Sequence, residues 1–228
     1  MVDVVIWAGW LLLGVAAGLD GASFGQFMIS RPVVAATLAG AWGGAPQAGA
    51  LVGLLLEAFH LRVLPIGAAR YPESGPAAVV AGAAIALWPP GLPALVAAVL
   101  VGLAWEAVGG WSVHRFRLAN IRRASFPAAD RLPPERVERA HRACLRVDAM
   151  RAATLTLAGL ALVALAAAVG LPRWGWDVRL TGAAVATTLV LLVAAAGRLF
   201  GPRWRSFVVG MLAGCAWWLG QTAWNAMR

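Results

Sequence analysis

The chain has 228 residues, of which 61% are hydrophobic and only 13% charged, and its formal net charge is +9. Charged residues make up about a quarter of a soluble globular domain, so this composition excludes a soluble globule and predicts an integral membrane protein. All 19 basic residues are arginines, and ten of them fall between residues 112 and 151, beside apolar runs. That clustering indicates positive-inside membrane topology, and no nucleic-acid partner is expected.

The first apolar run, residues 4 to 18, is predicted to be a membrane helix. The N-terminal sequence MVDVVIWAGWLLLG lacks the basic region with which a secretory signal peptide begins, so it is interpreted as a membrane segment. Gly14 and Gly18 are spaced for close contact with another helix.

Two shorter apolar pieces follow, at about residues 32 to 44 and 47 to 61. Each is well short of the roughly 20 residues that a full membrane crossing needs, which predicts a re-entrant hairpin or a pair of broken helices. Glycines recur at small-xxx-small spacing in both pieces, as Gly40 with Gly44 and Gly49 with Gly53. For glycines alone, close packing of helix backbones is the favoured role.

Polar residues gather in and around these short pieces, between residues 19 and 74. They are Asp20, Gln26, Arg31, Glu57, Arg62, Arg70 and Glu73. Carboxylates, a carboxamide and guanidinium groups beside broken backbone can bind the hydroxyls of a neutral polyol, helped by the free N–H and C=O groups of half-helices. The alternative is that these side chains pair with one another and hold the hairpin together.

The next two apolar runs, residues 76 to 88 and 91 to 110, are separated by a predicted turn at Pro89, Pro90 and Gly91. Trp105 and Trp111 are interpreted as the interfacial end of the second run. Glu106, near that end, is expected to reach headgroup water or to pair with the arginines that follow, in a structural role.

Residues 112 to 151 are predicted to form an amphipathic cytoplasmic helical hairpin. After Pro133 and Pro134, an apolar face is predicted, formed by Val137, Ala140, Cys144 and Val147. Such a hairpin suits the membrane surface or a soluble partner, and a solvated loop that only fixes topology is an equal alternative. His114 and His141 are expected to be surface histidines.

Three further membrane helices are predicted, at about residues 152 to 171, 178 to 197 and 203 to 226. The fold class is therefore an all-α, polytopic integral membrane protein with short re-entrant or broken helices in its N-terminal third. We divide it into an N-terminal membrane region (1 to 111), an arginine-rich loop (112 to 151) and C-terminal membrane helices (152 to 228). No catalytic motif, metal-ligand spacing or disulfide framework occurs, so neither an enzyme nor a cofactor is expected.

Three ordered blocks of sequence carry a family resemblance: GQFMISRPVVAATLAG, then GALVGLLLEAF, then LPIGAARYPES. The chain resembles the IIC membrane subunit of the mannose, fructose and sorbose family of bacterial sugar phosphotransferase systems. The positions that match the family pattern are Gln26, Arg31, Pro32, Glu57, Gly67, Ala68, Ala69, Pro72 and Glu73. The resemblance weakens after residue 76.

The resemblance implies a multi-pass permease subunit of the bacterial inner membrane that binds a hexose and moves it like an elevator. It further implies an oligomer that pairs with a IID membrane subunit and with soluble IIA and IIB phosphocarriers. In that family the phosphorylated histidines belong to the soluble partners, so no histidine of this chain is expected to carry phosphate. Together with the polar residues above, it gives the candidate substrate-binding residues Asp20, Gln26, Arg31, Glu57, Gly67, Ala68 and Glu73.

The chain departs from the family pattern in three ways. An acid expected after the first short piece is replaced by Gly43-Gly44-Ala45, and the aspartate of the turn is Glu73, preceded by Arg70 and Tyr71. The chain is also expected to stop about one membrane helix early. These departures keep open an alternative function, a diverged IIC-like scaffold or regulatory subunit without sugar transport, in which Glu73 forms a salt bridge instead of facing a sugar.

Overall fold

The computed structural model describes residues 4–60, 71–123 and 133–170. These parts of the chain contain six α-helices and no strand: α1 (Val4–Ala22), α2 (Pro32–Trp42), α3 (Pro46–His60), α4 (Ser74–Leu87), α5 (Leu92–Arg123) and α6 (Pro134–Ala168). Three of the six, α1, α5 and α6, are long and apolar enough to cross a membrane. The expected all-α, polytopic membrane fold is thereby confirmed. The helices predicted at 178 to 197 and 203 to 226 lie outside the described residues.

The two short pieces form a hairpin of short helices, as predicted. Proline occupies the first position of both α2 and α3, where its missing N–H costs nothing. Between them the chain turns through Gly43 and Gly44, and Gly44 has a positive φ of 85° that favours glycine. At 11 and 15 residues, both helices fall short of a full crossing.

Glycines bring the backbones of the two hairpin helices into contact. A Cβ atom on Gly40 would lie 2.8 Å from the Cα of Gly49, and one on Gly53 would lie 2.7 Å from the carbonyl oxygen of Pro32. Neither approach leaves room for a side chain. The packing role expected for these glycines is therefore confirmed for Gly40, Gly49 and Gly53, whereas Gly44 serves the turn and has open space around it.

Helix α4 is the central element of the bundle. Every residue from Gly75 to Ile85 is buried, and α4 packs against all five other helices. Its sequence, SGPAAVVAGAAIAL, consists mostly of small residues and has no polar face, as is typical of a helix surrounded by protein. Small side chains on all sides allow five neighbours to approach one axis.

Tryptophans tie the surrounding helices together through their indole N–H groups. Trp10 donates to the carbonyl of Ala39 at 2.8 Å, Trp88 to that of Val163 at 3.3 Å and Trp105 to that of Leu155 at 3.1 Å. A buried indole needs such a partner, and each acceptor here belongs to another helix. Trp105 therefore packs between α5 and α6, whereas Trp111 is exposed; that the two mark the interfacial end of α5 stays a prediction.

The predicted boundaries near residues 111 and 151 are not helix ends. α5 continues through Gly109, Gly110 and Trp111 to Arg123, and α6 runs without interruption from Pro134 to Ala168. A glycine lowers helix propensity by only about 1 kcal/mol, so it weakens a helix without ending it. The arginine-rich segment thus extends two long apolar helices, and the early part of α6 is exposed, including Val137 of its predicted apolar face.

Candidate functional site

A cavity of about 160 Å³ lies where α1 ends, α2 begins and α3 ends. The segment before α4 and one residue of α5 complete its wall. The lining residues are Ala17, Gly21, Ala22, Ser30, Arg31, Pro32, Glu57, His60, Tyr71, Pro72, Glu73, Ser74, Gly75 and Val113. The wall therefore combines two carboxylates, a guanidinium, an imidazole, a phenol and two hydroxyls with small apolar groups.

Arg31 and Glu57 form an ion pair at one side of the cavity. Arg31 directly precedes α2, and Glu57 lies in the last turn of α3, so the hairpin itself brings them together. The Oε2 of Glu57 also accepts the N–H of Val33, at 3.3 Å, in the first turn of α2, where a carboxylate interacts favourably with the helix dipole. The Arg31 side chain is 53% exposed, so this pair remains accessible from the cavity.

Glu73, by contrast, belongs to a buried hydrogen-bond network on the other side of the cavity. Both of its oxygens accept hydrogen bonds from Arg151 of α6, each at 2.6 Å. Arg151 also donates to Asp148 at 2.7 Å and to the hydroxyl of Ser112 at 2.8 Å. Asp148 accepts a further hydrogen bond from Ser23 at the end of α1, so this network connects α1, α5 and α6 with the start of α4.

The glycine pair of α5 makes room for this wall of the cavity. A Cβ atom on Gly109 would lie 2.9 Å from the Cβ of Glu73, and one on Gly110 would collide with the backbone of Tyr71. The N–H of Glu73 donates to the carbonyl of Glu106 on the same face of α5, at 3.1 Å. The Tyr71 ring lies 4.7 Å from the guanidinium carbon of Arg117, which also donates to its hydroxyl.

Asp20 stabilises the loop between α1 and α2. Its carboxylate accepts the backbone N–H groups of Phe27 and Ser30 and the hydroxyl of Ser30, the last at 2.8 Å. These bonds hold a loop in which Gln26 and Met28 adopt positive φ angles of 58° and 68°. Such angles are uncommon for residues other than glycine and cost conformational energy, which the three hydrogen bonds to Asp20 offset.

His60 and Glu106 form a second buried pair, between α3 and α5. The Nδ1 atom of His60 lies 3.5 Å from Oε1 of Glu106, and their side chains are only 12% and 4% exposed. The prediction that Glu106 reaches headgroup water or pairs with the arginines that follow it is therefore wrong, because α5 turns its side chain inward, toward α3.

The predicted site residues thus separate into three groups. Arg31, Glu57 and Glu73 line one cavity, whereas Asp20 lies behind it and Gln26 is exposed on the loop. Gly67 and Ala68 lie outside the described residues, as does Arg70. Sequence reasoning missed Ser30, His60, Tyr71 and Ser74 as wall residues, and Asp148 and Arg151 as partners of Glu73.

One sequence signal pointed to the missed partners. Asp148 and Arg151 are three residues apart, so they lie on the same face of a helix. That face continues the predicted apolar face of α6, which includes Cys144 and Val147. Opposite charges on an apolar face indicate a buried pair. No group of three potential metal-ligating side chains is found within 4–60, 71–123 and 133–170.

Comparison with known proteins supports the fold and goes no further. No protein-family model and no curated protein matches the chain. A solved structure described only as that of a membrane protein superposes with a TM-score of 0.75 at 19% identity, covering 94% of this chain and 88% of the other. A mannose transporter ManYZ in complex with microcin E492 superposes with a TM-score of 0.45 at 17% identity, covering 94% and 87%.

Proposed function

We propose that this chain is a IIC-type permease subunit of a mannose-family sugar phosphotransferase system, and that it binds a hexose in the cavity beside the α2–α3 hairpin. The observation that carries the proposal is the accessible Arg31–Glu57 pair on the wall of that cavity. Both residues belong to the blocks of sequence that resemble the family.

The chemistry of the pair suits a sugar. A carboxylate has about four acceptor positions, and the described contacts of Glu57 are one with Arg31 and one with Val33. A guanidinium has five N–H donors in a planar fork. The remaining positions can accept from one sugar hydroxyl and donate to another.

The surrounding wall supplies further hydrogen-bonding groups. Ser30, Ser74 and Tyr71 line the same cavity with hydroxyls, and Pro32 and Val113 add apolar surface for the carbon face of a ring. In this proposal the hexose passes to a IIB phosphocarrier for phosphorylation, alongside a IID membrane partner, in the bacterial inner membrane.

Direct binding measurements test the proposal. Purified protein in lipid nanodiscs should bind at least one radiolabelled hexose from a panel in a saturable way. Glu57→Gln and Arg31→Ala should each weaken that binding roughly ten- to a hundredfold, because each removes hydrogen bonds to a charged group.

The matched control is an ion pair of the same type at a remote place. Arg142 and Glu138 form an exposed pair on α6, 3.3 Å apart. Glu138→Gln and Arg142→Ala should leave hexose binding unchanged. Equal affinities for the wild type, Glu57→Gln and Arg31→Ala would contradict the proposal.

A second function, a membrane scaffold or regulatory subunit that keeps the fold without the substrate, is favoured by a different observation. The carboxylates of Asp20 and Glu73 are occupied by internal hydrogen bonds, and no acid occurs in the turn at Gly43 to Ala45. This function predicts no saturable binding of any hexose, together with stable co-purification of another membrane chain. Saturable hexose binding at millimolar concentration or below would exclude it.

A further inference from the structure

The pair formed by His60 and Glu106 has no role in the proposed sugar site. His60 is the last residue of α3, and Glu106 lies in the middle of α5, where it projects into the space between the two helices. Within the part of the chain that the structure describes, each side chain has a buried polar atom without a hydrogen-bond partner, Nε2 of His60 and Oε1 of Glu106. Unsatisfied buried polar atoms are rare in folded proteins and indicate a missing hydrogen bond or proton.

The charge balance of the pair requires one proton. With both groups deprotonated, an ionised carboxylate is buried without a hydrogen-bond donor at Oε1, which costs several kcal/mol. With both protonated, an imidazolium cation is buried beside a neutral acid. One shared proton avoids both costs, either as a carboxylic acid beside a neutral imidazole or as a carboxylate beside an imidazolium.

Neighbouring charges do not replace that proton. The arginines in and around the cavity wall have partners of their own in the described chain: Arg31 pairs with Glu57, Arg151 with Glu73 and Asp148, and Arg117 with Tyr71. The Nδ1 atom of His60 also lies 3.0 Å from the carbonyl of Leu56, which can accept a proton from that nitrogen.

The location of His60 gives the proton a route. His60 contributes to the wall of the cavity, whereas Glu106 does not line it. Nε2 is buried as the ring stands, so a small rotation of the imidazole is needed to bring it to cavity water. The transfer balances when Nε2 takes a proton from that water while Nδ1 gives its own proton to Oε1 of Glu106, 3.5 Å away. Chains of histidine and acid at membrane depth are typical of proton relays.

We propose that His60 and Glu106 form a one-proton binding site whose proton exchanges with the cavity through His60. The site goes beyond the proposed function, because it stands whether or not the cavity binds a hexose. A proton bound at a wall residue changes the charge and the hydrogen-bonding capacity of the cavity, so any solute there would be bound in a pH-dependent way.

Infrared spectroscopy of the full chain in nanodiscs at pH 7 tests one form of the site. An ordinary aspartate or glutamate is ionised at that pH, so a protonated-carboxyl band identifies an unusual acid. The band should disappear in Glu106→Gln, persist in Glu138→Gln, whose carboxylate is exposed, and shift when the sample is transferred to D₂O.

Nitrogen NMR of histidine-labelled protein tests the other form. The chain has three histidines, so a His114→Gln/His141→Gln background leaves His60 as the only signal. If the proton resides on the imidazole, His60 is doubly protonated at pH 7 and becomes neutral in Glu106→Gln. A proton signal on either residue that depends on Glu106 supports the proposal.

The proposal is overturned if neither the Glu106 band nor a doubly protonated His60 is present at pH 7. A proton signal that does not exchange in D₂O would overturn the route through the cavity. If Glu106→Gln does not fold, His60→Asn replaces it: removal of the imidazole should leave the proton on Glu106, and a missing carboxyl band in that variant counts against the site. Failure of hexose binding affects only the sugar proposal.

Discussion

Two charged clusters border the same cavity, and they differ in how completely the protein itself satisfies them. On one side, the Arg151 side chain is 10% exposed and its guanidinium donates four hydrogen bonds to Glu73, Asp148 and Ser112. On the other, Arg31 is 53% exposed and pairs with Glu57. A carboxylate near a cavity is therefore available to a ligand only where internal partners leave acceptor positions open.

The two clusters also differ in how much of the bundle they connect. The Arg151 network reaches α1 through Ser23, α5 through Ser112 and the start of α4 through Glu73. In the described part of the chain, the contacts of the Arg31–Glu57 pair connect the two helices of the hairpin. The first cluster therefore suits a structural role and the second is the one placed in the proposed sugar site, and three substitutions test that division.

The largest effect is expected from Arg151→Met. It leaves the carboxylates of Glu73 and Asp148 buried without their cation, and breaking a buried ion pair costs about 3–5 kcal/mol. The midpoint of unfolding, followed by circular dichroism in mixed detergent micelles, should fall sharply. Glu73→Gln added to Arg151→Met should recover part of the loss, because it removes one of the two unpaired charges.

Arg142→Met is the control on the same helix, since Arg142 pairs with Glu138 in solvent. An exposed pair contributes about 0–1 kcal/mol, so this variant should unfold close to the wild type. Equal losses from Arg151→Met and Arg142→Met would show that the buried network has no special role.

An intermediate effect is expected from Gly53→Ala in the hairpin. The added Cβ atom would lie 2.7 Å from the carbonyl oxygen of Pro32 and the Cα of Val33, and such overpacking costs about 1–3 kcal/mol. Because Val33 donates to Glu57, the same displacement should weaken hexose binding. Unfolding midpoints and hexose binding are measured on the same preparations.

Gly21→Ala is the matched control, because the nearest atom to its added Cβ is 3.4 Å away, in Ser30. That is an ordinary contact, and alanine favours a helix over glycine. The unfolding midpoint should stay the same or rise. A loss as large as that of Gly53→Ala would argue against close backbone contact as the reason for the hairpin glycines.

The smallest effect on stability is expected from Glu57→Gln, the variant with the predicted binding defect. Its partner Arg31 is half exposed, so the pair contributes about 0–1 kcal/mol to folding. The unfolding midpoint should change little while hexose binding falls. A drop comparable to that of Arg151→Met would place Glu57 in the structural cluster and remove the contrast between the two sides.

The sequence predicted the elements more accurately than their ends. The lengths of the apolar runs and the positions of the prolines predicted the short helices α2 and α3 and the turn before α5, because both features influence the backbone of the neighbouring residues. The same local reasoning placed boundaries at residues 111 and 151, where polar composition changes but the helices continue. The backbone hydrogen bonds of an α-helix form in an apolar medium and in water alike, so a change in side-chain composition does not by itself end a helix.

The candidate site was predicted in part for a similar reason. Arg31 and Glu57 come together because one short hairpin joins them, and Glu73 follows within the same third of the chain. Asp148 and Arg151 are more than seventy residues beyond Glu73, and only the packing of α6 against α1, α4 and α5 brings them to it. The sequence placed Glu106 in headgroup water or beside the following arginines, because it does not show which face of a long helix is turned toward the bundle.

By itself, the sequence determined that this is an all-helical membrane protein with a broken hairpin and a concentration of polar groups near its N-terminus, because composition, run length and helix breakers act through local physics. Only the tertiary structure decided which of those groups remain accessible. A carboxylate's role depends on the partners that packing supplies. Arg151 donates to both oxygens of Glu73, and Glu106 lies beside His60. Glu57 lines the cavity and has acceptor positions that its described contacts do not use.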